Sequence, residues 1–419
     1  MINMDSSDKQ NFFIKESKTF CMLPWIHIHT TPSGLAAPCC IAESTKEGKG
    51  VGNTATHSLM EIVNGPKMNE LRKNMLDGIF PNDCKSCHRY DEKNIVSPRK
   101  AYNDYFKDYL NESLENTNSD GSLKEFKMRY FDIRFNNICN FKCRTCNASY
   151  SSQWEQENMK HIPGFIPIPK NNKPLFLQEI VDQIPNMKVA YFAGGEPLIT
   201  EQHYTLLEEM IRTGESDNII LRYNTNLSHL NFKDKDLIQM WSKFKHSIEL
   251  HVSIDHCGER AEYIRHGTDW GLIESNIMKV KKMPNVFYHI NTVLSVFNLL
   301  TIDKFYEYMN KKNLFTSTDR SATLYPMSSP EQFTCHVLPE KYKQQGIETL
   351  NRTNEFMTKH NYSQTIIDEL QKSALWVKDR NLWDEYGKKF KREVVRVDDI
   401  RGESFRKTFP ELEALLDLN

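Results

Sequence analysis

Three cysteines within eight residues, Cys139, Cys143 and Cys146 in the run CNFKCRTC, constrain this chain more than any other feature. Five more fall early, at Cys21, Cys39, Cys40, Cys84 and Cys87, and Cys257 and Cys335 stand alone. Disulfide frameworks belong to oxidising compartments and to small secreted domains. Here the chain runs to 419 residues, and Met1 to Asn11 is polar, without the apolar core of a signal peptide. No apolar run reaches the about 18 residues of a membrane span. The expectation is a cytoplasmic protein with no membrane association, in which clustered cysteines ligate metal. Charge is close to balance, 54 Lys and Arg against 55 Asp and Glu, so no long-range field draws nucleic acid or anionic lipid.

The pattern divides the chain into a tail (1–17), a cysteine module (18–105), a linker (106–124), a region of alternating strands and helices (125–335) and a helical extension (336–419). In the module, PWIHIHTTPSG sets Ile26 and Ile28 against His27 and His29 and then turns at Pro32-Ser33-Gly34, the signature of a β-hairpin. SLMEIVNGPKMNELRKNMLDG predicts an amphipathic helix ending near Gly78. The polar string NESLENTNSDGS predicts the linker. Strands are predicted at FKMRYFDIRF, KVAYFA, IILRYN, IELHVSI, VFYHINTVLS and ATLYPM, with helical segments such as HYTLLEEMIRTG between them. Strand–helix alternation means parallel strands with crossover helices, in a doubly wound sheet or a barrel. HIPGFIPIPKNNKP reads as a proline-rich loop insertion, and the tail from Trp376 as charged and mostly helical.

The spacing C-x3-C-x2-C, directly after the first of these strands, places three thiolates in one loop. Three thiolates can hold three corners of a cubane [4Fe–4S] cluster and leave the fourth iron open. A structural zinc site would want a fourth protein ligand, and unligated core cysteines are the plainest alternative. Downstream, FAGGEPLI puts Gly194, Gly195, Glu196 and Pro197 at the end of the second strand. The glycines allow close backbone approach to a ligand, and Glu196 offers an acceptor for an ammonium group. A turn before a helix, with Pro197 in its first turn, is the bland alternative.

A cysteine loop after one strand and a GGE motif after the next resemble the radical S-adenosylmethionine (radical SAM) superfamily over roughly residues 125 to 330. The resemblance implies an α/β fold with a partial (β/α)6 barrel of the TIM type and a site at the C-terminal ends of the strands, in keeping with the general barrel rule. It implies a [4Fe–4S] cluster with an open iron on Cys139, Cys143 and Cys146, S-adenosylmethionine (SAM) chelated there, and an electron donor such as flavodoxin or ferredoxin. By position in the pattern it also implies SAM contacts from Gly194, Gly195, Glu196, Pro197, Asn224 in YNTN, Ser253 in VSID and Arg265 in YIRHG. Polar residues at strand ends otherwise just satisfy turns. Many relatives carry an aromatic residue just before the third cysteine; here it is Thr145, which puts the adenine contacts in question but not the cluster.

The early cysteines stand as C-x12-G-x4-C (Cys21, Gly34, Cys39) followed by the clip CKSC (Cys84, Cys87). Four thiolates complete one closed site, and by spacing alone a zinc ribbon serves as well as a cluster. The run from CMLPWIHIHTTPSGLAAPCC to CKSC resembles the twitch and SPASM modules of radical SAM enzymes, which bind auxiliary [4Fe–4S] clusters. Such a module is a small α+β unit, a β-hairpin plus helix. It commonly follows the barrel; here it precedes it. No cysteine lies between Cys87 and Cys139, so one auxiliary cluster is expected rather than two.

Cys40, Cys257 and Cys335 are read as packing residues, His27 and His29 as facing solvent or bonding within the hairpin, and KKFKREVVR as a solvated helix face. The catalytic residues proper are not legible. A peptide or protein substrate is implied slightly ahead of a small metabolite. The rivals are an RNA-modifying radical enzyme, which would need a basic aromatic-lined surface, and a non-catalytic zinc-binding interaction module with two filled tetrahedral sites.

Overall fold

A computed structural model describes residues 5–46, 48–93, 95–169, 174–315 and 322–418. The chain divides into two units, the first made of Met1–Asn137, Ile166–Arg222 and Lys243–His246, the second of Ile138–Phe165, Tyr223–Ser242 and Ser247–Asn419.

In the first unit the alternating run folds as the predicted hairpin, β1 (His27–Thr30) antiparallel to β2 (Leu35–Ala37), with Gly34 at φ 86° in the turn. That conformation disfavours any side chain. β3 (Gly52–Asn53) extends the hairpin antiparallel to β2. On its other side β1 pairs in parallel with β4 (Tyr130–Asp132), and β4 with β5 (Val189–Phe192), giving the order β3-β2-β1-β4-β5. The hairpin is thus hydrogen-bonded to the first strand of the alternating region.

This placement overturns the expectation for the two hairpin histidines. Both are 1% exposed. A central strand is covered on both faces, so each ring must find a partner across the sheet. His27 Nδ1 lies 2.9 Å from the Tyr130 carbonyl, and its ring stacks on that of Tyr130; His29 Nδ1 lies 2.8 Å from Asp132 Oδ2. Burial lowers the pKa of His27 from 6.5 to about 4, and that of His203, in the helix Glu201–Arg212, to about 3. The unfolded chain therefore takes up protons below pH 6.5 that the native state refuses, and stability is lost as pH falls from there toward 4. At about pH 5 each histidine should cost roughly 2 kcal/mol. Urea unfolding at neutral pH and near pH 5 should show the drop, to which buried His256 adds, and His27→Gln should remove roughly 2 kcal/mol of it. An unchanged difference would place the acid sensitivity elsewhere.

The single helix expected over 58–78 is two, Leu59–Val63 and Pro66–Leu76. Pro66 has no N–H and its ring clashes with a preceding carbonyl, so it starts a helix but cannot continue one. Ser58 and Glu61 close a capping box on the first. The second carries Arg72, fully buried, which donates to the carbonyls of Gly121 (2.6 Å), Val63 (2.7 Å) and Pro24 (2.9 Å). Gly121 belongs to the stretch expected to be a linker. That stretch is packed instead: Phe106, Leu110 and Leu123 are buried, and Leu110–Glu115 is helical. The three apolar anchors flank the polar string rather than interrupt it. A Cβ at Gly121 would sit 2.2 Å from the Asn69 carbonyl oxygen, so the close approach requires glycine.

β6 (Ile220–Thr225) carries the chain from the first unit into the second. The second unit holds β7 (Ile248–Ser253), β8 (Val286–Leu294) and β9 (Ala322–Pro326), paired in parallel with Asn291 opposite both Ser253 and Thr323. On β7, Ile248, Leu250 and Val252 are buried while Glu249, His251 and Ser253 are half-exposed, the period of two expected of a strand with one polar face. All six predicted strands form, with the helices Trp270–Val280 and Ile302–Lys311 between the last three. The extension is helical as predicted, in Glu340–Lys359, Gln364–Lys378 and Trp383–Arg401. Of the proline-rich insertion, residues 170–173 lie outside the described residues. Among the described residues no helix is long and apolar enough to cross a membrane.

Candidate metal centres

The first unit gathers four cysteines from three separate pieces of chain. Cys21 precedes the short helix Leu23–Ile26, Cys39 follows β2, and Cys84 and Cys87 lie one turn apart at the start of the helix Lys85–Glu92. All four line a cavity of about 160 Å³, and all are free thiols. Burial pushes the Cys21 thiol up to about 12, and it raises Cys39, Cys84 and Cys87 as well. The thiols raise one another further: Cys39 feels Cys21 and Cys84, and Cys84 feels Cys21 and Cys87. Four buried thiols that resist ionisation together are stable as thiolates only around positive charge, which a metal centre supplies. Four soft thiol donors on one cavity are of a chemistry that suits a four-iron cluster. Cys40 also lines the cavity but is exposed.

Sequence reading missed Arg99 here. Its guanidinium holds the carbonyls of Ser17 and Phe20, both at 2.9 Å, and Asp91 at 2.7 Å, and its charge lowers Cys21 and Cys84. Nothing in its spacing marks it; only the packing of the helix Pro98–Tyr105 brings it to the cysteines.

The second unit holds the three-cysteine loop. Its backbone is fixed from two sides: Lys142 and Arg144 donate to the carbonyls of His266 (2.9 Å) and Ile264 (2.8 Å), and Trp154 Nε1 donates to the Cys143 carbonyl at 2.7 Å. Cys143 is buried, its thiol pushed up to about 12, chiefly by burial. Arg265 Nη1 lies 4.0 Å from Cys143 Sγ, and Arg265 Nε lies 2.8 Å from Asp255 Oδ2, just beyond β7. A cation at the sulfur favours the thiolate, opposing burial. Among the described residues no three His, Cys, Asp or Glu side chains close on one point in the manner of a single-ion site.

Of the further residues expected near a ligand, Ser253 and Arg265 line a small hollow with Asn226 and Phe141. Asn226 Nδ2 donates to Asn140 Oδ1 inside the cysteine loop at 3.0 Å. Asn224, the residue expected from the pattern, sits two residues back on the half-exposed face of β6. Asn226 lies just past the end of the strand, where period-two alternation no longer assigns a face. Gly194, Gly195, Glu196 and Pro197 belong to the first unit. Gly194 has φ 129°, a conformation reserved for glycine, and buried Glu196 accepts from the Leu198 N–H at 3.1 Å, capping the short turn Pro197–Ile199. The bland role of the motif, a capped turn, is thus present in the fold. Cys335 is fully buried. Cys257 is held beside His256, its Sγ 3.6 Å from Nδ1, with burial raising it to about 11.

Residues 21–88 match the family model of SPASM, an iron–sulfur cluster-binding domain. A search of curated proteins found no match. Solved structures that align include native anSMEcpe with bound AdoMet and Cp18Cys peptide, at 17% identity over 55% of this chain and 60% of that one (TM-score 0.37). Streptococcus suis SuiB bound to S-adenosylmethionine aligns at 14% identity over 73% of this chain and 63% of that one (TM-score 0.37). TYW1 with a lysine-pyruvate adduct bound aligns at 13% identity over 55% and 71% (TM-score 0.28). The chain thus spans 60% of the anSMEcpe chain. Its cysteines Cys21, Cys39, Cys84 and Cys87 all fall inside the matched segment.

Proposed function

We propose that this chain is a radical SAM enzyme with an auxiliary iron–sulfur cluster, acting on a substrate still to be identified. A [4Fe–4S] cluster on Cys139, Cys143 and Cys146 with SAM at its open iron supplies, when bound and given one electron, methionine and a 5′-deoxyadenosyl radical that takes a hydrogen atom from substrate. One observation carries the reading: a three-thiol loop, with Arg265 beside Cys143, in a chain whose separate four-thiol module is of an iron–sulfur family. A closed zinc site would not leave its ligand set one short.

The chain's own residues then divide the work. Three cysteines, rather than four, leave one coordination position open. Arg265, anchored by its ion pair with Asp255, presents its guanidinium to the Cys143 sulfur. When SAM is bound, Glu196, with Gly194, Gly195 and Pro197, would offer an acceptor to its ammonium group, and Asn224, Ser253 and Arg265 would hydrogen-bond its ribose or carboxylate. Arg265 serves the carboxylate only by sharing its fork with Asp255. The four-thiol centre has no open iron and is suited to electron transfer or to closing the substrate cavity. The proposed substrate is a peptide or protein, received from the mouth of the barrel, with a flavodoxin or ferredoxin as electron donor.

Anaerobic reconstitution, followed by SAM and dithionite, should yield 5′-deoxyadenosine detectable by mass spectrometry. Protein that binds zinc, refuses iron and forms none would overturn the reading in favour of an interaction module.

A further inference from the structure

Resting on the radical SAM reading, we propose that the C-terminal extension is a working part of the catalytic cluster's site: Asp398 and Glu403, acting through Arg144, are positioning residues for the three-cysteine loop and set the charge around its cluster. Arg144 lies between the ligands Cys143 and Cys146, and its residue is 2% exposed. Its Nη2 reaches Asp398 Oδ1 and Glu403 Oε2, each at 2.5 Å, and its guanidinium lies 3.7 Å over the Tyr263 ring. Neither carboxylate is loose. Asp398 also accepts from the Tyr263 hydroxyl at 2.8 Å and from the Phe405 N–H at 2.6 Å, and Glu403 is held by His266 Nδ1 at 2.5 Å.

A second contact ties the extension to the same loop with the charges reversed, one carboxylate between two cations. Glu157, 6% exposed, joins Lys142 of the loop to Arg401 of the extension, whose Nη2 lies 2.9 Å from Glu157 Oε1 and whose guanidinium covers the Trp154 ring at 4.5 Å. Trp154 in turn holds the Cys143 carbonyl. Charges buried this deeply are screened little, and removing one partner strands the other. A fold that only needed a covered loop would do as well with apolar contacts. Each carboxylate on Arg144 opposes gain of an electron by the cluster, so removing either one leaves the surroundings of the loop one charge more positive.

The test reads the cluster rather than turnover. Asp398→Asn and Glu403→Gln each remove one charge with little change of shape. Each should keep its iron and move the midpoint potential of the Cys139/Cys143/Cys146 cluster positive by about 59 mV, the one-electron equivalent of a tenfold change in equilibrium. The electron paramagnetic resonance signal of the reduced cluster, identified as the one absent from Cys143→Ala, should change with it. Asp398→Glu should restore both. Potentials and spectra that match the native protein in both variants, whatever happens to thermal stability, would overturn the proposal. Should one variant fail to fold, the other and Asp398→Glu decide by the same readings. If Cys143→Ala removes no iron from the native protein, the radical SAM reading itself has failed, and that result is distinct from an unmoved potential.

Discussion

Cys143→Ala should abolish 5′-deoxyadenosine formation, by more than about a thousandfold, the equivalent of about 4 kcal/mol in the activation barrier. The iron content should fall from about eight to about four per chain, one four-iron cluster of two. Cys143 is the ligand with most evidence of being prepared for the task. Its carbonyl is pinned by Trp154 and its sulfur faces Arg265. Two remaining thiols cannot keep three corners of a cubane, so the loss should be of the cluster and not merely of its tuning. The fold itself should survive, because the loop backbone is held by its bonds to Ile264 and His266. Retained 5′-deoxyadenosine with full iron would mean that the cluster sits elsewhere.

Cys84→Ala should have a large effect of a different kind. The four thiols are drawn from separated pieces of chain, so their metal centre closes loops that nothing else closes covalently. Binding energy at such a site is folding energy. The variant should again lose about half its iron, and the first unit should lose several kcal/mol of stability, visible as a lowered thermal midpoint. SAM cleavage with dithionite should persist, because the three-cysteine loop is untouched. A variant with unaltered iron would remove Cys84 from the ligand set and point to Cys40, the fifth thiol on the same cavity.

How far these centres could be read from the sequence depended on distance along the chain. The cysteine loop, the clip CKSC and the hairpin turn at Gly34 are local patterns, and each folds where its pattern says. All six strands formed because β-branched and aromatic residues alternate over short spans. The failures are long-range. His27 and His29 alternate as polar residues should on a one-sided hairpin, but the parallel partner that buries them begins at Tyr130, about a hundred residues on. The supposed linker failed for the same reason: Arg72 and Gly121 meet only in three dimensions. Arg99, Asp398 and Glu403 carry no motif at all. Charged residues on helices are usually solvated, and only packing shows that these face cysteines or their loop.

The parallel pairing of β1 with β4 bears on how such a protein can be taken apart or rebuilt. A cluster module that merely abutted the following strands could be deleted, transplanted or shuffled as a cassette. This one contributes an interior strand, with His27, Ile28 and His29 in register with Tyr130, Phe131 and Asp132. Cutting the chain after the module would strip β4 of its neighbour and leave an open row of N–H and C=O groups, a template for aggregation. The two segments are therefore best engineered as one piece, and insertions are better tolerated in surface loops than at this seam.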